Sequence, residues 1–471
     1  MPKATSMGEF NHRGVASTIV RGIVVSVLMV LSGCGPPVQH YVQVDNLQSR
    51  QQFAEADAVI VKHKAEYGER NAVLYDFDRG MMLHLAGQYA ESNQVLAQAE
   101  DRIDQLYTKS VSAESGAMLT NDNTLPYEGE DFEKVMINVI QALNYVYLGE
   151  WDETLVEARK VDHKLNLFND KYEKKNVYKQ DALAQYLSGI LYEAKGELND
   201  AFISYRKAYE AYGDYRKNYG TPMPTPLPAD LLRVTAALSF TEEHQDYLKQ
   251  FPDTRWMTEK ELQGQSELVF ISYTGRSPIK EDFFITAPIP DGKGGTYILR
   301  VALPKFVPLP DKVGTAEVHL IPADGEAASG GAISQRVFLA EDITAIAKKN
   351  LEDRIARITA KAIARATAKY LASRAIRKEV AKKRGDDSLA GFLADVGTNI
   401  YSLASEQSDK RSWRTLPDRI QLARVVVLPG SYTVAVEYYD RSGGLIERKT
   451  FPPMTLKAGE KRFLGYRILG R

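Results

Sequence analysis

The chain has 471 residues, with 60 Lys and Arg against 61 Asp and Glu, a formal net charge of −1 and 44% hydrophobic residues. That balance excludes a global attraction to nucleic acid, and the length suffices for two or three domains with complete cores. A single cysteine excludes an intramolecular disulfide, so in an oxidising compartment burial and hydrogen bonding alone must hold the fold.

The first element is a leader. Lys3, Arg13 and Arg21 precede the apolar run 22–31, which is followed by Ser32-Gly33-Cys34-Gly35. A basic start, a short apolar core and small residues at the exit describe a secretory signal over residues 1–33. The run is too short for a membrane span, which needs about 20 residues. Leu31-Ser32-Gly33-Cys34 resembles the lipobox of bacterial lipoproteins. The resemblance implies that the Cys34 thiol receives a diacylglycerol, that the leader is cut before it, and that the new amino terminus is acylated. A thiolate is the strongest side-chain nucleophile near neutral pH, and two or more acyl chains hold a protein stably on a bilayer. Gly35, in place of the aspartate that retains such proteins at the inner membrane, implies the periplasmic side of the outer membrane. The bland alternative is a soluble secreted protein with a cysteine near the cut by chance.

Residues 34–45 carry Gly35-Pro36-Pro37 and read as a tether. From 46 to 250 the periodicity is helical. Three stretches share a pattern: Gly80, Leu83, Gly87-Gln88-Tyr89, Ser92, Leu96, Ala99; Ala142, Tyr145, Gly149-Glu150-Trp151, Thr154, Ala158, Val161; and Gly189, Tyr192, Gly196-Glu197-Leu198, Ala201, Tyr205, Ala208. This spacing resembles the tetratricopeptide repeat, in which small residues let two helices approach and a glycine turns the chain. Gln52–Asp57 reads as a degenerate opening copy. The glycines are unevenly spaced, so 110–131 and 166–180 are insertions or lengthened helices, and insertions often carry contacts. Leu125 and Tyr127 in the first insertion are candidate contact points. An irregular α-hairpin array with no peptide groove is the competing reading.

A proline-rich break at 221–228 precedes one further helix over 229–250. At about 265 the period becomes two. Strands are expected at 267–273, 283–285, 296–301 and 316–321, with Asp291–Gly295 as a turn. Residues 341–383 are again helical, and 388–404 form a shorter amphipathic helix. Strands return at 422–428, 432–438, 445–451 and 462–469. The expected class is α+β: a tetratricopeptide-like α-hairpin array over 46–250, then an antiparallel β-sandwich-like domain. Its first β portion spans 265–340 and its last 416–471, with 341–415 inserted as a helical excursion. Two separate small β modules are the alternative.

Between Lys348 and Arg384 there are thirteen Lys and Arg against Glu352, Asp353 and Glu379, so this helix holds most of the local positive charge. Leu351, Ile355, Ile358, Ala362, Ala366 and Tyr370 form a thin apolar stripe on it. Lys361, Arg365 and Lys369 are candidate contacts for an acidic partner, anionic lipid or wall polymer. A solvated face covering the β domain is the structural reading. Trp413, between Arg411 and Arg414, is either a packed anchor beside a cation or a binding hot spot. The histidines are dispersed and the lone cysteine has no partner, so no metal site and no cofactor are predicted. Asp291-Gly292-Lys293-Gly294-Gly295 lacks the Lys-Ser/Thr ending of a phosphate loop. No acid pair is set apart in the sequence, so no catalytic residue is assigned.

The combination of lipobox, degenerate hairpins, Ala/Arg/Lys helix, Ser412-Trp413-Arg414-Thr415-Leu416-Pro417 and Leu428-Pro429-Gly430-Ser431-Tyr432-Thr433-Val434 resembles a family of bacterial outer-membrane lipoproteins without assigned chemistry. The expected function is a lipid-anchored envelope scaffold that binds protein partners through its helical repeats, without catalysis. The alternative is a cell-wall glycan-binding protein or hydrolase with a cleft between helical and β domains.

Overall fold

A computed structural model describes residues 38–112, 123, 125–171, 178–290, 296–323, 332–384 and 407–470. The expected leader, Cys34, the expected 291–295 turn and the expected helix at 388–404 lie outside them. The chain is mixed α+β, helices first and strands after.

The helical part starts inside the expected tether. Helix α1 (Val38–Gln48) buries Tyr41 and Val44. These two lie three residues apart on one helical face, which is why the segment folds instead of running free. They pack toward α2 (Phe53–Lys62) and, after the single turn α3 (Lys64–Tyr67), toward α4 (Ala72–Leu85). Helices α4 and α5 (Tyr89–Ser112) form a hairpin, as do α6 (Asp131–Leu148) with α7 (Trp151–Lys171) and α8 (Ala182–Ala194) with α9 (Leu198–Asn218).

The turn glycines do one job three times. Gly87, Gly149 and Gly196 each sit at φ +77°, and the next N–H reaches back to a carbonyl five residues earlier: Gln88 to Leu83, Glu150 to Tyr145 and Glu197 to Tyr192, all at 2.9 Å. Glycine enters the left-handed region at no steric cost. The same turn recurs without glycine. Gln51 (φ 60°) joins α1 to α2, and Ser239 (φ 58°) joins α10 (Leu227–Ala237) to α11 (Thr241–Gln250). The expected single helix at 229–250 is therefore two, because Ser239 takes the left-handed position that a glycine would have signalled. Small residues inside the hairpins set their spacing. A Cβ on Gly80 would lie 2.4 Å from Leu96 Cδ2, and one on Gly189 would lie 2.4 Å from Tyr205 Cδ1.

After α12 (Glu259–Gln263) the strands run β1 (Ser266–Thr274), β2 (Ile279–Pro290), β3 (Thr296–Val307), β4 (Val313–Pro322), β5 (Ile333–Arg336) and β6 (Phe338–Asp342). Helix α13 (Ile343–Arg384) follows, and the chain finishes with β7 (Arg419–Val427), β8 (Gly430–Asp440), β9 (Leu445–Thr450), β10 (Met454–Leu456) and β11 (Lys461–Ile468). One sheet has the order β11-β1-β7-β6, and the second has β10-β8-β4-β5 with β9 also on β8. Strands from the two β portions thus pair with each other: Leu268 faces Val425 and Val318 faces Val436. One pair departs from the antiparallel expectation, since β1 and β11 run parallel. The chain visits the second sheet at β10 before it re-enters the first, and such a crossover permits parallel entry.

β1 is buried along its whole length because both of its faces are covered. Leu268 and Phe270 join Val318, Val434 and Val436 in a core between the sheets. Val269, Ile271 and Tyr273 point the other way, into the core shared with the helices. A period of two therefore produces three layers here: helices, first sheet, second sheet. The two-stranded β2–β3 ribbon stands apart and packs Val301 and Leu303 against Ile355, Ile358, Ala362 and Ala366 of α13. Among the described residues, no helix is long and apolar enough to cross a membrane.

Candidate functional site

The inner face of the helical array is occupied by the chain itself. Residues 407–418, between α13 and β7, run without regular structure across α1, α4 and α6. Trp413 is fully buried and stacks on Phe77, with ring centroids 4.3 Å apart. Its backbone N–H donates to Glu133 Oε1 (2.7 Å), and its indole N–H donates to Thr415 Oγ1 (2.8 Å). Thr415 in turn donates to Asp78 (3.0 Å), which also accepts from Tyr41 (2.6 Å) and Tyr67 (2.9 Å). The two arginines beside Trp413 cover other rings: Arg411 lies 5.1 Å from the centre of Tyr127, and Arg414 lies 4.2 Å from that of Tyr41. Arg411 also donates to the Leu125 carbonyl at 2.8 Å.

Three sequence candidates therefore meet here, as structural contacts. Tyr127 is buried and donates to Glu133 Oε2 at 2.6 Å. Leu125 is half-buried and is used through its carbonyl. A partner cannot reach Trp413 or Tyr127 in this packing, so their reading as contact points is corrected. Trp413 is an anchor.

Glu133 organises the junction. It closes a capping box with Glu130 at the start of α6 while accepting from Tyr127 and Trp413. Burial, and next the neighbouring Glu130 charge, push its carboxyl up to about 7. Glu130 goes the other way. Burial would raise it, but Arg354 of α13 and Lys280 of β2 outweigh that and hold it well below the usual carboxylate range. Carboxylates driven apart in this way can serve as acid and base. Only Glu130 lines the adjoining cavity of about 180 Å³, between α13 and the ribbon, and Glu133 is sealed behind it. Arg365 lines the same cavity and is buried, so it is not an exposed contact as expected. Lys361 is half-buried on α13, and the Lys369 side chain lies outside the described residues.

The second feature is an ionic seam that the sequence reading missed. Arg424 of β7 donates to Asp230 of α10 and to Glu267 of β1. Arg233 joins Asp230 to Glu193 of α8, and Lys461 of β11 bridges Glu193 and Glu267. Three acids meet three bases, and each side chain is at most 6% exposed. Burial alone would raise Glu193, yet Lys461, Arg233 and Arg424 bring it down to about 2. Burial is likewise outweighed by Arg424 and Lys461 at Glu267, which is held well below the usual range. Asp230 and Glu267 converge between the helical and β parts, as a hydrolase would require, but one guanidinium bridges both and keeps Glu267 ionised. The signal in the sequence was a lone arginine inside Leu422-Ala423-Arg424-Val425-Val426, since a charge within a buried strand must have a partner.

The third feature is exposed. Phe283, Phe284 and Ile298 of the ribbon face solvent, with Arg300 over the Phe284 ring at 3.9 Å. Among the described residues, no group of His, Cys, Asp and Glu is arranged to hold a metal ion.

The chain matches no protein-family model and no curated protein. Among solved structures it is similar to the crystal structure of BtubC (BKLC) from P. vanneervenii, with a TM-score of 0.31 and 13% identity, over 45% of this chain and 76% of that one. A likeness at that level carries no argument about fold or function.

Proposed function

We propose that this protein is a lipid-anchored scaffold of the bacterial envelope, held to the outer membrane by acyl chains on Cys34, whose tetratricopeptide-like hairpins and β-sandwich form a rigid body that engages protein partners without catalysis. One observation carries the choice of contact surface. The inner helical face, where a repeat array would take a peptide, is filled by Trp413 and its neighbours and by the first sheet. The ribbon instead presents Phe283, Phe284 and Ile298 beside the basic helix. Exposed aromatic side chains on a ribbon packed against a helix rich in Lys and Arg fit a partner with an acidic, partly apolar surface.

The anchor and the contact surface are tested separately. Cys34→Ala is expected to abolish labelling by a fatty-acid probe and to release the protein from the membrane fraction; unchanged membrane partitioning would defeat the anchor. Photo-crosslinking residues placed in living cells at Phe283 and Ile298 are expected to give discrete adducts, and ones at the outer-helix positions Val61 and Leu167 none. Adducts confined to the outer helices would refute the ribbon as the contact surface.

A further inference from the structure

The seam between α10, the 251–258 loop and β7 holds a groove of about 320 Å³, the right order for a small ligand. Nothing in the scaffold reading uses it. Its lining takes in one side of the ionic seam and adds one arginine from outside it. Three arginines, Arg233, Arg255 and Arg424, face two carboxylates, Asp230 and Glu267. Trp256, Met257, Leu262 and Val426 supply apolar walls.

Several hydrogen-bond donors along this groove are unspent among the described residues. Arg233 bonds through Nε and Nη2, which leaves Nη1. Arg255 is exposed at the rim and has no ion-pair partner. Trp256 is half-buried, packs edge-to-face with His244 at 5.4 Å, and makes no hydrogen bond through its indole N–H. None of these nitrogens is sealed from solvent. The occupant must therefore be rich in acceptors and negatively charged at one point, to answer the extra arginine. It must also present a flat face to an aromatic wall and donate hydroxyl protons to the two fixed carboxylates. A simple anion meets only the first two requirements: it offers no flat face to Trp256 and no hydroxyl proton to Asp230 or Glu267.

We propose that this groove binds a carboxylate-bearing sugar ring, with Arg255 on the carboxylate, Trp256 along the ring, and Arg233, Asp230 and Glu267 on hydroxyls. The inference is independent of the scaffold reading, because the groove lies on another part of the molecule from the ribbon.

The test is calorimetric titration of the full chain with trigalacturonate, cellotriose, triglutamate and acetate. Trigalacturonate is expected to saturate, and cellotriose to bind about tenfold or more weakly, since it lacks the charge-assisted bond. Arg255→Ala, an exposed change that leaves the fold alone, is expected to bring trigalacturonate down to the cellotriose level. Val426→Trp is expected to fill the groove and abolish both. Saturation no tighter than about 10 mM with trigalacturonate would overturn the proposal. So would triglutamate or acetate binding as tightly as the sugar acid, or unchanged binding by the Val426→Trp variant.

Discussion

Arg424→Ala is the sharpest probe of what joins the helical and β parts. The guanidinium of Arg424 lies between Asp230 and Glu267, with Glu193 3.7 Å away, and only 5% of its side chain is exposed. Removing it leaves three buried carboxylates to share Arg233 and Lys461. Breaking a buried pair in this way costs about 3–5 kcal/mol, because the abandoned charge cannot return to water. The loss is expected in urea unfolding at pH 7, followed by far-UV circular dichroism and by tryptophan fluorescence so that an intermediate would show as separated transitions. Adding Glu267→Gln restores two acids to two bases, with Asp230 and Glu193 on Arg233 and Glu193 on Lys461, and is expected to recover more than half of the loss.

The pH profile gives a second, independent readout. Glu193 and Glu267 have folded pKa values depressed below the ordinary 4.5. A depressed carboxylate contributes stability that is present above its unfolded pKa and lost as pH falls through its folded one. For Glu193 that window runs from 4.5 down to about 2. Wild type is expected to lose stability steeply across it, and Arg424→Ala to show a shallower slope. A loss below about 1 kcal/mol at pH 7, or an unchanged acid slope, would refute the reasoning.

Other perturbations read the remaining contacts. Trp413→Ala empties the stack on Phe77 and is expected to cost about 3–5 kcal/mol, with faster proteolytic cutting within 407–418 as the sign that the strap has lifted. Gly189→Ala puts a methyl group against Tyr205 and is expected to cost about 1–3 kcal/mol in thermal unfolding, whereas a serine or alanine at an exposed helix position nearby would cost little. Glu133 has a raised folded pKa of about 7, so its contribution is present at pH 4.5 and lost as pH rises to 7. Glu133→Gln is expected to flatten that limb of the stability profile, and a wild-type slope in the variant would show that Glu133 is already ionised in the fold.

Local order was written in the chain. The period of 3.6 placed the helices, the period of two placed most strands, and Gly87, Gly149 and Gly196 marked their turns because only glycine enters the left-handed region without strain. Where Gln51 and Ser239 take that conformation, the sequence offered no signal, and one helix stood for two. Ile355, Ile358, Ala362 and Ala366 were legible as part of a stripe, but not the ribbon that they pack against. Tertiary structure alone decided which faces meet. Val269 and Phe270 are adjacent letters of equal apolarity, yet one joins the helices and the other the second sheet. Tyr127 read as a contact residue, and Trp413 as either an anchor or a contact, until the fold closed over them. Arg424, Glu267, Glu193 and Asp230 lie up to 231 positions apart, and nothing local distinguishes a charge destined for burial from one destined for water. Periodicity reports a residue's immediate neighbours, while pairing of charges and covering of a face depend on chain segments brought together only when the whole molecule folds.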